Sequence, residues 1–313
     1  MGRRKTMAFR LNRAHLERLC LINSFPVRDR GMVFFGFRGC LPLDEDDQEF
    51  KAEHRVVLAG IDYLHPRCML GQWLPREGRI ALFPGSTVPH LRYVKASKEK
   101  DGLGANQMMT GYYKDYRKGI HLNGSPTAHE AFRQTEGHPV RRTADDFDFD
   151  NDDRVEFANP YDNIHAGWTM GVNHDSYASA GCQVIVGYPR CESRGNMPDE
   201  GPWKRFKANA YGLDQQGFPY LLLNGRDAQK TALGGTRKVP ARLRFGSKGD
   251  LVSALQEALQ EKGYYEGNLD GDFGRRTIRA VLEFQTRAFG PGGDDGIVGP
   301  ITASALGLGW PKV

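Results

Sequence analysis

Two short segments carry residue types that do chemistry together: Asn163-Ile-His165-Ala-Gly167, and Ser179-Ala-Gly-Cys182-Gln-Val-Ile-Val. A thiol attacks as its thiolate, and an imidazole within reach can take the proton. A paired Cys and His is therefore the smallest apparatus for acyl transfer through a thioester. Gly181 permits a tight turn before Cys182, and Ser179 lies in the same turn. Main-chain N–H groups near Cys182 could then point at a developing oxyanion. Spacing alone leaves a second reading open, in which Cys182 is an inert buried thiol and His165 a hydrogen-bonded core histidine, since free Cys is among the most buried residue types. His174 is a rival base, nearer to Cys182 in sequence but set in the polar stretch Asn173-His-Asp-Ser. Cys191 could form a disulfide that silences Cys182, against the plainer reading of a spare thiol. With Cys20, Cys40 and Cys68 the cysteines number five, and none has CxxC spacing, which argues against a zinc ribbon or a thioredoxin-type pair.

For His165 to meet Cys182, a strand ending in the histidine must return through a loop to a turn that feeds a second strand. The surrounding chain supplies strands. Arg55-Val-Val-Leu-Ala, Arg79-Ile-Ala-Leu-Phe, Arg92-Tyr-Val, Gln183-Val-Ile-Val and Pro219-Tyr-Leu-Leu-Leu are short β-prone runs punctuated by Gly and Pro. One basic helix is expected from Arg13 to Leu21. The run Asp145 to Asp153 has Asp148, Asp150 and Asp152 at calcium-loop spacing but lacks the Gly and Glu of an EF-hand, so a solvated acidic loop is the favoured reading.

Residues 234–241 hold paired Gly, charges and Pro, and read as a linker between a region 1–233 and a region 242–313. Beyond it, Asp270-Gly-Asp-Phe-Gly-Arg-Arg-Thr277 and Asp295-Gly-Ile-Val-Gly-Pro-Ile-Thr302 repeat one pattern, D-G-x-[FV]-G-x-x-T. A second echo links Leu255-Gln256 with Phe284-Gln285, each on apolar positions at helical spacing. The tail is expected to be three short helices joined by two turns of the same shape.

Composition bounds the rest. The 313 residues are 39% hydrophobic and 26% charged, ordinary globular usage with room for two or three domains. No apolar run approaches the roughly 18 to 20 residues of a membrane span. Arg3, Arg4 and Lys5 are not followed by an apolar stretch, so no secretory signal is read. The net charge of +5 is too small to point to nucleic acid, and the first residues read as a solvated basic arm or helix face.

The tail from Leu243 to Leu306 resembles the peptidoglycan-binding domain family appended to many cell-wall enzymes, with the Leu-Gln, Gly-Tyr, Asp-Gly-x-Phe-Gly, Phe-Gln and Asp-Gly-Ile-Val-Gly-Pro blocks in order. The His-x-Gly segment and Ser-x-Gly-Cys resemble the signature of the L,D-transpeptidase catalytic domain. Ala81-Leu-Phe-Pro-Gly-Ser-Thr-Val-Pro and Thr110-Gly-Tyr-Tyr are similar to the strands before its substrate site. This chain departs from that family in His165-Ala-Gly for His-Gly-Thr, in Ala180 for a second His, and in Gln183-Val184 where an Arg is usual.

The resemblances imply a mostly β catalytic domain, an L,D-transpeptidase-like β-sandwich, followed by an all-α three-helix bundle. They imply a peptidoglycan L,D-transpeptidase in which the Cys182 thiolate attacks a stem-peptide carbonyl, His165 is the base, the Gly181 and Cys182 N–H groups hold the oxyanion, and Ser179 belongs to the same catalytic turn. No metal or cofactor is expected. Tyr113, His121, Trp168 and Gln183 are the expected lining of the peptide groove, with Tyr112, Tyr116 and Tyr177 as further aromatic supply. The expected partner is peptidoglycan, with stem peptides as donor and acceptor, in the periplasm or cell envelope, the protein being a monomer with neither nucleic acid nor membrane span. The alternatives are a carboxypeptidase or endopeptidase of lytic or effector type using the same cysteine, and a non-catalytic wall-binding protein.

Overall fold

The computed structural model describes residues 8–26, 30–100, 104–143, 149 and 153–313. Arg3, Arg4, Lys5, Asp148, Asp150 and Asp152 lie outside the described residues. The elements run β1 (Phe9–Asn12), α1 (Arg13–Ile22), β2 (Val33–Arg38), β3 (Cys40–Pro42), β4 (Glu53–Leu58), β5 (Cys68–Leu74) and β6 (Arg79–Ser86). Then come α2 (Leu91–Lys100), β7 (Ala105–Met108), β8 (Gly111–His121), β9 (His129–Gln134), β10 (His138–Thr143), β11 (Arg154–Ala158), β12 (Ile164–Ala166) and β13 (Gln183–Ile185). The order ends with α3 (Gly201–Tyr211), β14 (Gly217–Asn224), α4 (Gly225–Gly234), α5 (Asp250–Glu261), α6 (Arg275–Phe289) and α7 (Pro300–Leu306).

The first region is mixed α/β around a closed barrel in the order β12-β13-β6-β5-β2-β14-β8-β9, flanked by the three-stranded sheets β1-β4-β3 and β11-β10-β7. The expected sandwich is therefore corrected to a barrel. Its sheet closes because β12 pairs in parallel with β13 on one side and, through Ile164↔Phe132, with β9 on the other. Successive residues of one strand face opposite ways, and both faces are covered, which is why the strand runs read as continuously apolar. Phe34, Leu70, Phe83, Phe132, Ile164, Ile185 and Leu222 belong to one cluster drawn from all eight strands, joined by Trp203 and Phe206 of α3. Their neighbours Phe35, Met69, Leu82, Leu221 and Leu223 pack instead with Leu16 and Leu19 of α1 and Ala228 of α4.

Arg92-Tyr-Val, expected as strand, is the first turn of α2. His90 Nδ1 accepts the Arg92 N–H at 3.0 Å and so caps the helix, while Val94 is buried at helical spacing. The helix expected at Arg13 is α1, whose Asn12 side chain accepts from the His15 N–H at 3.2 Å.

The C-terminal region is helical, and its two loops are alike for a shared reason. Gln256 Nε2 donates to Asp270 Oδ1, the Asp272 carbonyl and Thr277 Oγ1, while its Oε1 accepts the Gly271 N–H. Gln285 does the same for Asp295 Oδ1, the Ile297 carbonyl, Thr302 Oγ1 and the Gly296 N–H. Both glutamines are buried, and both loop glycines have positive φ, 65° and 70°. The stretch 234–241 is bonded rather than slack. Val239 and Val313 exchange main-chain hydrogen bonds of 3.0 and 2.9 Å, and the Arg242 N–H reaches the Ile22 carbonyl at 2.8 Å.

Gln256→Glu keeps the side-chain shape but turns an acceptor toward Asp270 and the Asp272 carbonyl. A loss of about 2–4 kcal/mol is expected for breaking so buried a network, read as a lower urea midpoint. An unchanged midpoint would show that the clamp contributes nothing.

Candidate active site

The parallel pairing of β12 with β13 places His165 opposite Val184, two residues past Cys182. Strand pairing thus brings together two side chains far apart in sequence. His165 Nδ1 lies 2.8 Å from the Ala166 carbonyl and 3.4 Å from His129 Nε2. A carbonyl can only accept, so Nδ1 carries the proton. His129 is oriented in turn: its Nδ1 donates to the Thr127 carbonyl at 2.7 Å, leaving Nε2 as acceptor. The basic nitrogen of His165 is therefore Nε2, which is buried and has no hydrogen-bond partner among the described residues. An imidazole fixed in one tautomer by a third group is the geometry of a general base.

His121 lies against His165 with ring centroids 4.0 Å apart and planes 15° from parallel. Its tautomer is set by Asn163. Asn163 Oδ1 accepts the Gln134 N–H at 2.9 Å, so Nδ2 is the donor that meets His121 Nδ1 at 2.8 Å. His121 therefore presents Nε2–H. Burial holds His121 down to about 4, with His129 and Arg133 adding to it. Burial also drives His165 well below the usual imidazole range, with His121 and His129 next in effect. Both rings are neutral at physiological pH.

Cys182 Sγ donates to the Tyr161 carbonyl at 3.6 Å, and burial pushes the thiol far above its ordinary range. The nearby Asp162 carboxylate pushes it further, while the main-chain N–H groups of Asn163 and Cys182 pull the other way. Asp162 is itself buried and raised to about 7 despite a 2.5 Å hydrogen bond from Asn106. One atom each of His121, His165 and Cys182 lie within 4.8 Å of one another. These three could hold a metal ion only by breaking the Asn163–His121 hydrogen bond. His121 Nδ1 is occupied, and freeing Nε2 would move a proton onto Nδ1, against the Asn163 amide N–H group.

The turn before Cys182 needs a glycine. Gly181 has φ of 150°, and a Cβ there would stand 2.0 Å from Asn106 Nδ2 and 2.5 Å from Asp162 Oδ1. Ser179 Oγ donates to the Cys182 carbonyl at 2.7 Å and accepts the Gly181 N–H at 3.3 Å. The expectation that Gly181 supplies an oxyanion donor is corrected: its N–H is taken by Ser179, leaving that of Cys182.

The cleft over Cys182 and His165 has a volume of about 640 Å³, and its walls include Arg92, Tyr93, His121, Tyr161, Asp162 and Trp168. Two of the four expected lining residues, His121 and Trp168, are there. Tyr113 is not: it is buried, its hydroxyl donates to the Met109 carbonyl, and its ring packs on His138 and Phe245. Gln183 lies beneath the turn, donating to the Gly181 carbonyl at 3.1 Å and accepting from Tyr220. Tyr112, Tyr116 and Tyr177 are buried too, so the aromatic walls are Tyr93, Tyr161 and Trp168. His174 is exposed and lines none of the cleft. All five cysteines are free, with Cys191 Sγ 3.3 Å from Ser193 Oγ. The sequence reading missed His129, Asp162 and Arg92. His129 had a signal, since Asn123-Gly124 marks a hairpin that sets His121 opposite His129.

Residues 248–306 match the family described as "Putative peptidoglycan binding domain". The chain is 46% identical over 61 residues to the spore cortex-lytic enzyme of Bacillus subtilis (strain 168), 20% of this chain and 20% of that protein. It is 45% identical over 58 residues to the N-acetylmuramoyl-L-alanine amidase CwlM of Mycobacterium tuberculosis (strain ATCC 25618 / H37Rv), 18% of this chain and 14% of that protein. The chain thus spans a fifth or less of the length of these relatives, and both likenesses fall on the C-terminal region. No solved structure matches. The C-terminal region contains a peptidoglycan-binding domain.

Asp162→Asn tests the electrostatics. At pH 8 the carboxylate is ionised and holds the thiol up, so the variant should be alkylated by iodoacetamide at Cys182 several-fold faster, with the difference vanishing near pH 5. Stability gives a second readout. A carboxyl raised from 3.8 to about 7 binds its proton more tightly when folded, so its contribution falls as pH rises through that window. Wild type should lose stability relative to the variant between these limits, and parallel pH profiles would refute the assignment.

Proposed function

We propose that the protein is a peptidoglycan L,D-transpeptidase that transfers stem-peptide acyl groups through a Cys182 thioester. One observation carries the reading: a buried, unpartnered His165 Nε2 in one cleft with the Cys182 thiol, in a chain that also carries a peptidoglycan-binding domain. As a stem-peptide carbonyl enters, His165 Nε2 takes the Sγ proton and the sulfur attacks the carbonyl carbon. The oxyanion receives the Cys182 N–H and His121 Nε2–H. The His165 imidazolium then returns its proton to the departing amine, the C–N bond breaks, and a thioester remains. An acceptor amine attacks that thioester, its proton passes to His165, and Sγ is released as thiol. Because burial keeps thiol and imidazole neutral at rest, proton transfer belongs to the attack itself.

Two further residues support an anionic peptide substrate in a chain that has Gln183-Val184 in place of an Arg directly after Cys182. Arg92, at the cleft, is held by neutral acceptors, Ser176 Oγ and the Tyr177 carbonyl, and no carboxylate partners it among the described residues. A terminal carboxylate could pair with it. His121, reaching in from β8, supplies a second imidazole where the turn has Ala180. Water in place of the amine makes the same site a carboxypeptidase or endopeptidase. Lytic names on relatives of the C-terminal region are the observation that keeps this second reading in view.

Purified protein incubated with muropeptides, with products weighed by mass spectrometry, tests both. Cross-linked dimers should dominate at high substrate, with trimmed monomers growing on dilution, because hydrolysis does not depend on acceptor concentration. Trimmed monomers alone at every concentration would leave the hydrolase. Cys182→Ala should abolish turnover with little change in the unfolding midpoint, and His165→Ala should remove most of it with a lowered midpoint, since its buried ring leaves a cavity. Full activity of Cys182→Ala would leave a wall-binding protein whose chemistry lies elsewhere.

A further inference from the structure

Two cavities of about 430 and 390 Å³ lie along the seam between the barrel region and the C-terminal helices, and both are lined by Phe157 and Arg275. They are successive stretches of one groove. One wall comes from the first region, with Tyr113, His138 and Phe157. The other comes from Phe245, Phe273 and Arg275 of the C-terminal region, the last two within the residues that match the peptidoglycan-binding family. We propose that this seam is a saccharide-binding groove that seats the glycan strand of peptidoglycan.

Three observations give the groove its chemistry. Phe157 and Phe245 are both part-exposed and meet edge to face with centroids 5.9 Å apart, offering the apolar surface on which the C–H face of a sugar ring stacks. Ion pairs stand at the groove, Lys114 with Glu136 at 3.2 Å and Lys248 with Asp272 at 2.7 Å. Each offers donors and acceptors side by side without a net charge, which suits hydroxyl and acetamido groups. At the groove, His138 is 4% exposed and its Nδ1 has no hydrogen-bond partner among the described residues. A buried polar atom left unpaired is costly, and a small turn of the ring toward the groove would let a ligand hydroxyl satisfy it. Burial holds His138 down to about 3, so the ring meets the ligand uncharged.

The length of the groove selects the occupant. Each cavity is of the size that holds a small ligand, roughly 300 Å³ or more, and two in a row suit a chain of repeating rings. The proposal deepens the peptidoglycan binding of the C-terminal region and does not depend on Cys182.

The test uses the full chain with two probes, a soluble N-acetylglucosamine tetramer in calorimetry and intact sacculi in pelleting. Saturable heat with the tetramer is expected from wild type, weakened at least five-fold by Phe157→Ala and by His138→Phe. The rate of Cys182 alkylation should stay unchanged in both. His138→Phe replaces the imidazole by a flat apolar ring and removes both nitrogens while leaving a side chain to pack on Tyr113 and Phe245, so it carries the test if Phe157→Ala fails to fold. Tetramer binding by either folded variant at wild-type strength would overturn the assignment. Wild type that pellets with sacculi yet gives no heat with the tetramer would also overturn it, showing that the wall is held through stem peptides. Wild type that does neither would overturn the groove and the wall-binding reading together.

Discussion

The Asn163 amide is the constraint on which the site depends. Its Oδ1 takes the Gln134 N–H of β9, its Nδ2 holds His121 of β8, and its main-chain carbonyl takes the Gln183 N–H of β13. The barrel closes at this point through a single β9–β12 residue pair, so a side chain bridges where the ladder is thinnest. The same bridge sets the His121 tautomer. Closure of the fold and the direction of the His121 proton in the candidate site are therefore settled by one residue, and a change there would disturb both.

Around this bridge burial keeps two imidazoles and a thiol of the cleft floor neutral, beside an Asp162 carboxyl that changes charge near neutral pH. His121 and His165 are held below their usual range, and Cys182 and Asp162 are pushed above theirs. Such a floor holds no thiolate–imidazolium pair at rest, so on the proposed function the thiol loses its proton only as it attacks. The design differs from a preformed thiolate–imidazolium pair, which reacts with any small electrophile.

The parts that were legible in sequence are those fixed by local chemistry. The Asp-Gly repeats and the paired Gln256 and Gln285 announced two matching loops, because turn, cap and clamp all lie within about 20 residues of one another. His165 and Cys182 were legible as residue types at the ends of strands. Barrel closure was not, since no local pattern states that Ile164 will meet Phe132. Tyr113 was misplaced for a related reason: alternation puts it opposite Tyr112, but which face meets the cleft depends on how far round the barrel β8 lies. Asp162 carries no motif, and its role comes from Gly181, whose missing side chain lets Asn106 and Asp162 approach.

The stretch between the two regions has a mechanical meaning. A wall-binding module on a slack tether lets its companion sweep a sphere of positions. In this protein Arg244 reaches Thr110 at 2.8 Å, Arg141 reaches the Asp294 carbonyl at 2.6 Å, and Ser247 reaches the Asn23 carbonyl at 2.5 Å. The two halves turn together. On the proposed function and seating, the mouth over Cys182 faces the polymer at one azimuth and one offset, so stems pointing elsewhere around the strand are excluded however concentrated they are. The repeat of the polymer, rather than diffusion of a leashed domain, then decides which stems come within reach.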